Sequence, residues 1–331
     1  MAHPTEVPLP DENTSEDLLS LWSDLEAGLS LVLAQPQVVQ EFPLKVRQYD
    51  RWMRDLVVHD TDSAFYLLFQ LASTSSVGYS ASHSLVCASL CHLVGQELRL
   101  PPAEHDALIR AALTMNIAMT ETQDQLAVQD EKPTAAQRRA IEHHAEESAV
   151  LLRELGVADA LHIAIVRGHH ADDPKKDVAW SRMPPAERLA QVLGTIDRYA
   201  AMISPRGTRS GRTAADSVRS ILESKAGYPG EIGQALLRAV GLVPPGSFVA
   251  LDNGETAVVV ARGPDSGLPA VAVLVETDGL ALREPRLHRT ANGKPGIKAP
   301  LSHAQTDLPY NYVRLLQIGV RVRRQLRLPK T

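Results

Sequence analysis

Five side chains able to bind a metal ion lie far apart in the sequence, and their residue types suit one kind of chemistry. They are His83, His144, the pair His169 and His170, and Asp197. A metal-dependent phosphohydrolase needs neutral imidazoles and carboxylates that converge on one or two divalent cations. A carboxylate between two cations is especially useful, because it balances their charge and fixes their separation. The set therefore predicts a divalent metal site that serves phosphoester chemistry.

Helices of a single bundle are the elements that would bring these side chains together. Apolar residues recur with helical spacing up to about residue 243, and aromatic residues make up only 4% of the chain. Side chains on facing helices converge in the core of a bundle, where metal sites form. The clearest helical segments are 62–71, 82–97, 102–119, 135–155, 158–169, 185–202, 213–224 and 230–240. The sequence therefore predicts a mainly α fold.

The pattern changes to that of a small β module after Pro244, Pro245 and Gly246. Val-rich segments with strand-like alternation follow, and residues 252–255 read as a hairpin turn. These predicted strands are 248–251, 256–261 and 270–275. We predict a loop over 284–308 and a final helix over 310–328, whose arginines form a solvated basic face. Contact of that face with an anionic partner is the alternative.

These patterns divide the chain into three predicted parts. Residues 1–60 form an acidic, partly disordered N-terminal helical extension, since residues 1–44 contain no Lys or Arg. Residues 61–244 form the helical domain that holds the candidate ligands. Residues 245–331 form the small β module with its C-terminal basic helix.

Composition excludes several classes of protein. The net charge of -5 and a pI near 6.2 give no reason to expect nucleic-acid binding. No apolar stretch reaches the roughly 18 to 20 residues of a membrane span, and the N-terminus has no secretory signal, so we expect a cytoplasmic protein. Cys87 and Cys91 are the only cysteines and do not suggest a disulfide scaffold. We predict that both are small core residues, with a metal or redox role as the alternative.

Several segments, taken in order, resemble the HD-GYP family, the bacterial phosphodiesterases that hydrolyse cyclic di-GMP. Residues 192–202, VLGTIDRYAAM, are similar to the family's ILAVADVYDAL. Residues 240–251 are similar to its tail motif, with Pro-Pro-Gly-Ser before a strand. The other similar segments are 79–86, 108–119, 141–145, 165–170 and 205–209. The resemblance covers about residues 60 to 280 and implies an HD-type helical bundle.

The resemblance also implies roles for particular residues. It implies that a divalent metal, Fe or Mn, is held by His83, His144, His169, His170 and Asp197. It further implies that Arg206 and Arg209 contact the phosphates of the nucleotide.

The chain departs from the family where the chemistry is most demanding. Met115 and Asn116 stand at the position of the His-Asp doublet, and Met119 replaces a lysine that follows it. Asn116 offers a neutral carbonyl oxygen, but it cannot bridge two cations as a carboxylate does. Ala171 replaces a Glu, and residues 172–176 stand where the Gly-Tyr-Pro loop is expected. Asp172 and Asp173, at the start of this segment, are an alternative source of the carboxylate of the lost Glu.

We therefore predict a degenerate HD-GYP-like signalling protein that is inactive or weakly active toward cyclic di-GMP. It would act by binding a nucleotide or a bacterial signalling protein, and would hold at most one Fe or Mn ion tightly. The alternative is a metal-dependent phosphodiesterase or phosphohydrolase with a non-standard metal site. A third hypothesis, a purely structural helical adaptor, is less consistent with four retained histidines and Asp197.

Overall fold

Helices form the chain up to residue 240, as the spacing of its apolar residues predicts. The computed structural model describes residues 15–74, 78–171, 179–205, 211–224, 229–263, 268–290, 293, 295–302 and 310–327. The helices are α1 (Ser15–Ala34), α2 (Phe42–His59), α3 (Thr61–Thr74), α4 (Tyr79–Glu97), α5 (Pro102–Thr114), α6 (Thr120–Val128), α7 (Ala135–Glu154), α8 (Ala160–Gly168), α9 (Pro185–Ile203), α10 (Ala214–Leu222), α11 (Pro229–Val240) and α12 (Tyr312–Arg327). The predicted mainly α fold is confirmed.

Helix α4 is the central element of the bundle. Its residues from Ser80 to His92 are buried without interruption, and it packs against α1, α3, α5, α9 and α11. A helix that is surrounded on every side can carry apolar and small polar residues around its whole circumference. A polar side chain on α4, such as that of His83, must therefore find its partners inside the bundle.

Helices α1 and α2 share the core of the helices that follow. Trp22, Leu25 and Leu29 of α1 are fully buried in the same apolar cluster as Leu85 of α4. The predicted division at residue 60 stays a prediction. Residues 1–14, which belong to the extension that we predict to be partly disordered, lie outside the described residues.

One predicted helix is shorter than its pattern suggested. We expected a helix over 102–119, but α5 ends at Thr114 and a 3₁₀ turn covers Ile117–Met119 before α6 begins. Asn116 between them has φ -107° and ψ 14°, outside the helical region. The end of α5 therefore leaves Met115 and Asn116 at a break in the backbone.

An antiparallel sheet follows the bundle. Its strands lie in the order β4-β3-β2-β1-β5 and are β1 (Phe248–Leu251), β2 (Thr256–Ala261), β3 (Ala270–Val275), β4 (Ala281–Arg289) and β5 (Ile297–Leu301). The first three strands and the hairpin turn over 252–255 are confirmed, with Phe248 opposite Val258 and Gly254 at φ 95°. The predicted loop over 284–308 is wrong where β4 and β5 form.

A buried carboxylate joins the sheet to the bundle. Asp62 of α3 accepts hydrogen bonds from the backbone N–H and the guanidinium of Arg262, which follows β2. Arg323 of α12 lies 3.3 Å from the same carboxylate. The predicted solvated face of the last helix is therefore wrong for Arg323, since that side chain turns inward. None of the helices in the described part of the chain combines the length and apolar character that a membrane crossing requires.

Candidate metal centre

The end of α5 meets the helices that carry most of the predicted ligands. Helix α5 packs against α4, α8 and α9, and α7 packs against α8. Contact between α8 and α9 is unusually close at Gly194, where a Cβ atom would lie 2.1 Å from the carbonyl oxygen of His169. A glycine at this position permits that approach. It brings the end of α8, with its two histidines, next to Asp197 one turn along α9.

His144 and His169 form a pair whose ring orientation is set by the backbone. His144 Nδ1 lies 2.6 Å from the Ile141 carbonyl oxygen, and His169 Nδ1 lies 2.6 Å from that of Val166. A carbonyl only accepts, so both Nδ1 atoms carry the proton and each neutral ring keeps its lone pair on Nε2. The two Nε2 atoms lie 3.2 Å apart. Two lone pairs that face each other are unfavourable unless a cation lies between them.

A proton is a poor candidate for the cation between the two Nε2 atoms, because burial disfavours the charged form of both rings. Burial, followed by the nearby His170, lowers the pKa of His169 to about 3. Burial also lowers the pKa of His144, against the opposing effect of its bond to Ile141. Both rings are therefore neutral near pH 7. Neutral imidazoles with free Nε2 atoms are the state that a divalent metal binds, so this pair fits a metal ion.

His170 extends the pair to a group of three, which we call the trihistidine group. Ring centres of His170 and His169 lie 4.1 Å apart, and those of His170 and His144 lie 5.0 Å apart. The ligand atoms of all three residues lie within 4.8 Å of one another. The His170 side chain is 44% exposed, so it marks the side of the group that solvent reaches.

A second group consists of His83, Cys87 and Asp197, whose ligand atoms also lie within 4.8 Å of one another. His83 Nε2 lies 2.8 Å from Asp197 Oδ1, and Tyr79 Oη lies 3.3 Å from His83 Nδ1. Burial raises the pKa of Asp197, but the hydrogen bond from His83 and the charges of the nearby histidines together outweigh it, so this pKa lies below its usual value. Because an ionised carboxylate only accepts, His83 Nε2 is the donor.

Asp197 connects the two groups. Its Oδ1 atom faces His83, while its Oδ2 atom lies 3.9 Å from His170 Nε2. The carboxylate therefore stands between the histidines of α4 and those of α8. The structure thus brings together the five predicted ligands, although their metal-binding role stays a prediction.

The two residues that the resemblance aligns with the family's doublet lie in the protein interior. Met115 is fully buried, and Asn116 is 5% exposed. The Asn116 Oδ1 atom is buried and has no hydrogen-bond partner among the residues that the structure describes. The 3₁₀ turn that follows packs on α7, where the Ala118 N–H donates to Ser148 Oγ, one turn beyond His144. Met119 is partly exposed.

Other predicted site residues cannot be placed. Arg206 and Arg209 lie outside the described residues, as do the two aspartates that begin the segment 172–176. Cys87 lies beside a predicted ligand, although the sequence favours a core position for it. It is buried as expected, but its Sγ atom lies 3.6 Å from His83 Nε2. Its spacing of four residues from His83 on one helix was the available signal.

Comparisons with known proteins agree with the motifs. No protein-family model matches the chain. Over 199 residues, the chain is 25% identical to the cyclic di-GMP phosphodiesterase PA4108 of Pseudomonas aeruginosa, and this match covers 59% of the chain. It covers 47% of that relative, so the chain spans about half of its length.

A solved structure supports the fold. The chain is similar to Bd1817, an HDG"Y"P protein from Bdellovibrio bacteriovorus, with a TM-score of 0.50 and 15% identity. The similarity covers 68% of this chain and 73% of the other. At this identity the likeness concerns the fold alone. The sequence match and the motifs along α4 to α11 support the predicted resemblance to the HD-GYP family, and the solved structure supports the helical fold that the resemblance implies.

Proposed function

We propose that this chain is a metal-binding signalling module that binds cyclic di-GMP or a related nucleotide and hydrolyses it very slowly or not at all. The observation that carries the proposal is the pair of residues at the end of α5. Met115 and Asn116, both buried, occupy the positions of the family's doublet. Neither supplies an anionic ligand, and Met119 supplies no cation to steady a phosphate. The chain therefore lacks a carboxylate at this position to balance the charge of two metal ions. It also lacks the lysine that would stabilise the negative charge of the transition state.

The trihistidine group is the proposed primary site for the metal. His144 and His169 would hold the ion through their free Nε2 atoms, and the more exposed His170 would flank it. Imidazole and carboxylate ligands suit iron or manganese, and we expect about one such ion per chain. A bound divalent cation supplies Lewis acidity, which polarises a phosphoryl oxygen.

Recognition of a nucleotide is supported by the sequence relative, whose name describes a cyclic di-GMP phosphodiesterase. Arg206 and Arg209 remain the proposed phosphate contacts, since a guanidinium binds phosphate oxygens in a bidentate manner. A bacterial signalling protein is the second class of partner that we propose. In that case the nucleotide would change the affinity of the module for this protein rather than be consumed.

A second candidate function, a metal-dependent phosphodiesterase, is favoured by the position of Asp197. Its two oxygens face different groups of histidines. A carboxylate in that position could replace the missing doublet Asp as the bridge between two cations. Hydrolysis would then survive with a different set of ligands.

Binding and turnover must be measured on the same preparation. The protein is loaded with manganese, cyclic di-GMP binding is measured by equilibrium dialysis, and products are separated by chromatography. We expect saturable binding with turnover far below the ~1 per second at the low end for enzymes. The variant His144→Ala serves as the metal-depleted control. Turnover near that rate, lost in the control, would establish the phosphodiesterase instead. Absence of nucleotide binding would contradict both candidates.

A further inference from the structure

We propose that Cys87 supplies a thiolate ligand to a second cation site, which it forms with His83 and Asp197 and which prefers zinc or a similarly thiophilic divalent ion. This inference rests on the metal-binding part of the proposed function, but it does not require nucleotide binding. The three side chains come from two helices, α4 and α9, and their ligand atoms lie within 4.8 Å of one another.

The distances in this group suit a single ion. Zinc binds imidazole nitrogen at about 2.0–2.1 Å and thiolate sulfur at about 2.3 Å, which places the two ligand atoms roughly 3.6 Å apart in a tetrahedral site. Cys87 Sγ and His83 Nε2 lie 3.6 Å apart. Asp197 Oδ1 lies 2.8 Å from the same nitrogen, which is the hydrogen-bond distance of the metal-free site. An ion between them would move these two atoms to roughly 3.3 Å apart. In the absence of a metal, the proton of His83 holds the imidazole and the carboxylate together.

Charge balance gives Cys87 a role that the histidines cannot fill. Within the two candidate groups of the described chain, Asp197 is the sole carboxylate. Asn116, at the position of the family's Asp, is neutral. Two divalent cations beside one carboxylate and four imidazoles would leave a large uncompensated charge in a buried site. A thiolate adds a second negative charge. When the metal binds, the thiol proton passes to solvent. The proton on His83 Nε2 moves to Nδ1, which faces Tyr79 Oη, and leaves a lone pair on Nε2 for the ion.

Cys91 provides a matched comparison one turn further along α4. It is also a free and fully buried cysteine. However, neither candidate metal group found among the described residues contains it. The two cysteines therefore share a helix, a degree of burial and a residue type, but differ in their position relative to His83 and Asp197.

The test uses cobalt(II) as a spectroscopic substitute for zinc in the full chain. We expect the metal-free protein titrated with cobalt to develop the near-ultraviolet charge-transfer band of a thiolate–cobalt bond. The band should persist in Cys91→Ser and disappear in Cys87→Ser. Zinc content should fall from about two ions per chain to about one in Cys87→Ser only. Manganese, which avoids thiolate, should remain at about one in all three proteins.

The other possible outcomes distinguish failure of the proposed Cys87 site from failure of the proposed trihistidine site. Cobalt bound without a thiolate band in the parent protein would overturn the role of Cys87 and leave the trihistidine site intact. The spectrum of the parent protein alone decides this outcome, so the test remains valid even if Cys87→Ser fails to fold. Loss of the band in Cys91→Ser would also contradict the assignment, provided that its circular dichroism matches the parent. Failure of the parent to bind any metal would overturn both proposals.

Discussion

Restoring the doublet at the end of α5 would reveal whether its positions face the candidate ligands. The variant combines Met115→His, Asn116→Asp and Met119→Lys. Without metal, it should be less stable than the parent, because Met115 lies in the apolar core. A poorly satisfied imidazole there costs about 1–3 kcal/mol. A carboxylate at Asn116, whose Oδ1 is already unpaired among the described residues, adds a similar cost. Together they amount to roughly 2–6 kcal/mol if additive.

Metal should recover part of this loss, because the variant offers one more imidazole and a bridging carboxylate. If these lower the Kd by tenfold to a hundredfold, saturating manganese stabilises the variant by about 1.4–2.7 kcal/mol more than it stabilises the parent. The assay is urea unfolding of both proteins with chelator and with manganese. Activity need not return, since Ala171 and residues 172–176 also differ from the family pattern.

A control separates loss of packing from gain of a ligand. Met115→Leu keeps an apolar side chain of similar volume, so it should cost less than about 1.5 kcal/mol and should not change the response to manganese. The reasoning is refuted if manganese stabilises the triple variant no more than the parent. Met115 and Asn116 would then point away from the histidines, and the alignment that places them at the doublet would be wrong.

Three further predictions concern a buried histidine, the close contact between α8 and α9, and the ion pairs that join the sheet to the bundle. Burial lowers the pKa of His162 to about 4, so its contribution to stability is complete above its usual pKa of about 6.5 and is lost as the pH falls toward 4. The other buried histidines also lose stability as the pH falls, in the parent and in the variant alike. Between pH 7 and pH 5, urea unfolding in chelator should therefore show a loss about 2 kcal/mol larger in the parent than in His162→Gln. Equal pH slopes would contradict this. Gly194→Ala should separate α8 from α9, reducing manganese affinity and costing about 1–3 kcal/mol. In the control Gly230→Ala, a Cβ atom would meet nothing within 4 Å, so manganese affinity should not change and stability should rise by at most about 1 kcal/mol. Unchanged affinity in Gly194→Ala would argue against the role of the close contact. Asp62→Ala should lower the free energy of unfolding by about 2–3 kcal/mol. This is less than the loss for a fully enclosed ion pair, because the two arginines that contact Asp62 are partly exposed. A loss below about 1 kcal/mol, typical of a surface pair, would show that this network does not anchor the sheet.

The sequence predicts the buried strands well and the edge strands poorly, for a physical reason. Strands β1, β2 and β3 occupy the interior of the sheet, and their Val-rich pattern reflects burial. Strands β4 and β5 lie at the two edges. Edge strands carry charged and exposed residues, as Arg283 and Glu284 do in β4. Their pattern therefore resembles that of a loop.

The sequence did not predict the end of α5 at Thr114, for a different reason. Ile117 continues the apolar pattern of the helix and is buried, although it belongs to a 3₁₀ turn. Periodicity records which side chains are buried but does not distinguish one helical hydrogen-bond pattern from another over a single turn. The position of Met115 at the end of a helix, and not within it, required the structure.

Within the candidate site, sequence reasoning selected residues but not their grouping. The resemblance to the family indicated His83, His144, His169, His170 and Asp197. It did not show that they divide into two groups, because that division depends on how four helices pack. Cys87 lies four residues from both His83 and Cys91, so its spacing alone does not distinguish a metal ligand from a core residue. Spacing along a helix identifies a shared face, whereas distance to Asp197 is a tertiary property.

The carbonyl groups that fix the rings of His144 and His169 have a kinetic consequence. Neither ring needs to rotate to receive an ion, so the loss of side-chain freedom has already occurred during folding. An ion that arrives or leaves on the side of the half-exposed His170 need not break the hydrogen bond of either ring to Ile141 or Val166. The ion therefore meets a site that is already formed. Its rate of binding should be limited by passage beside His170, and not by local opening of α7 or α8.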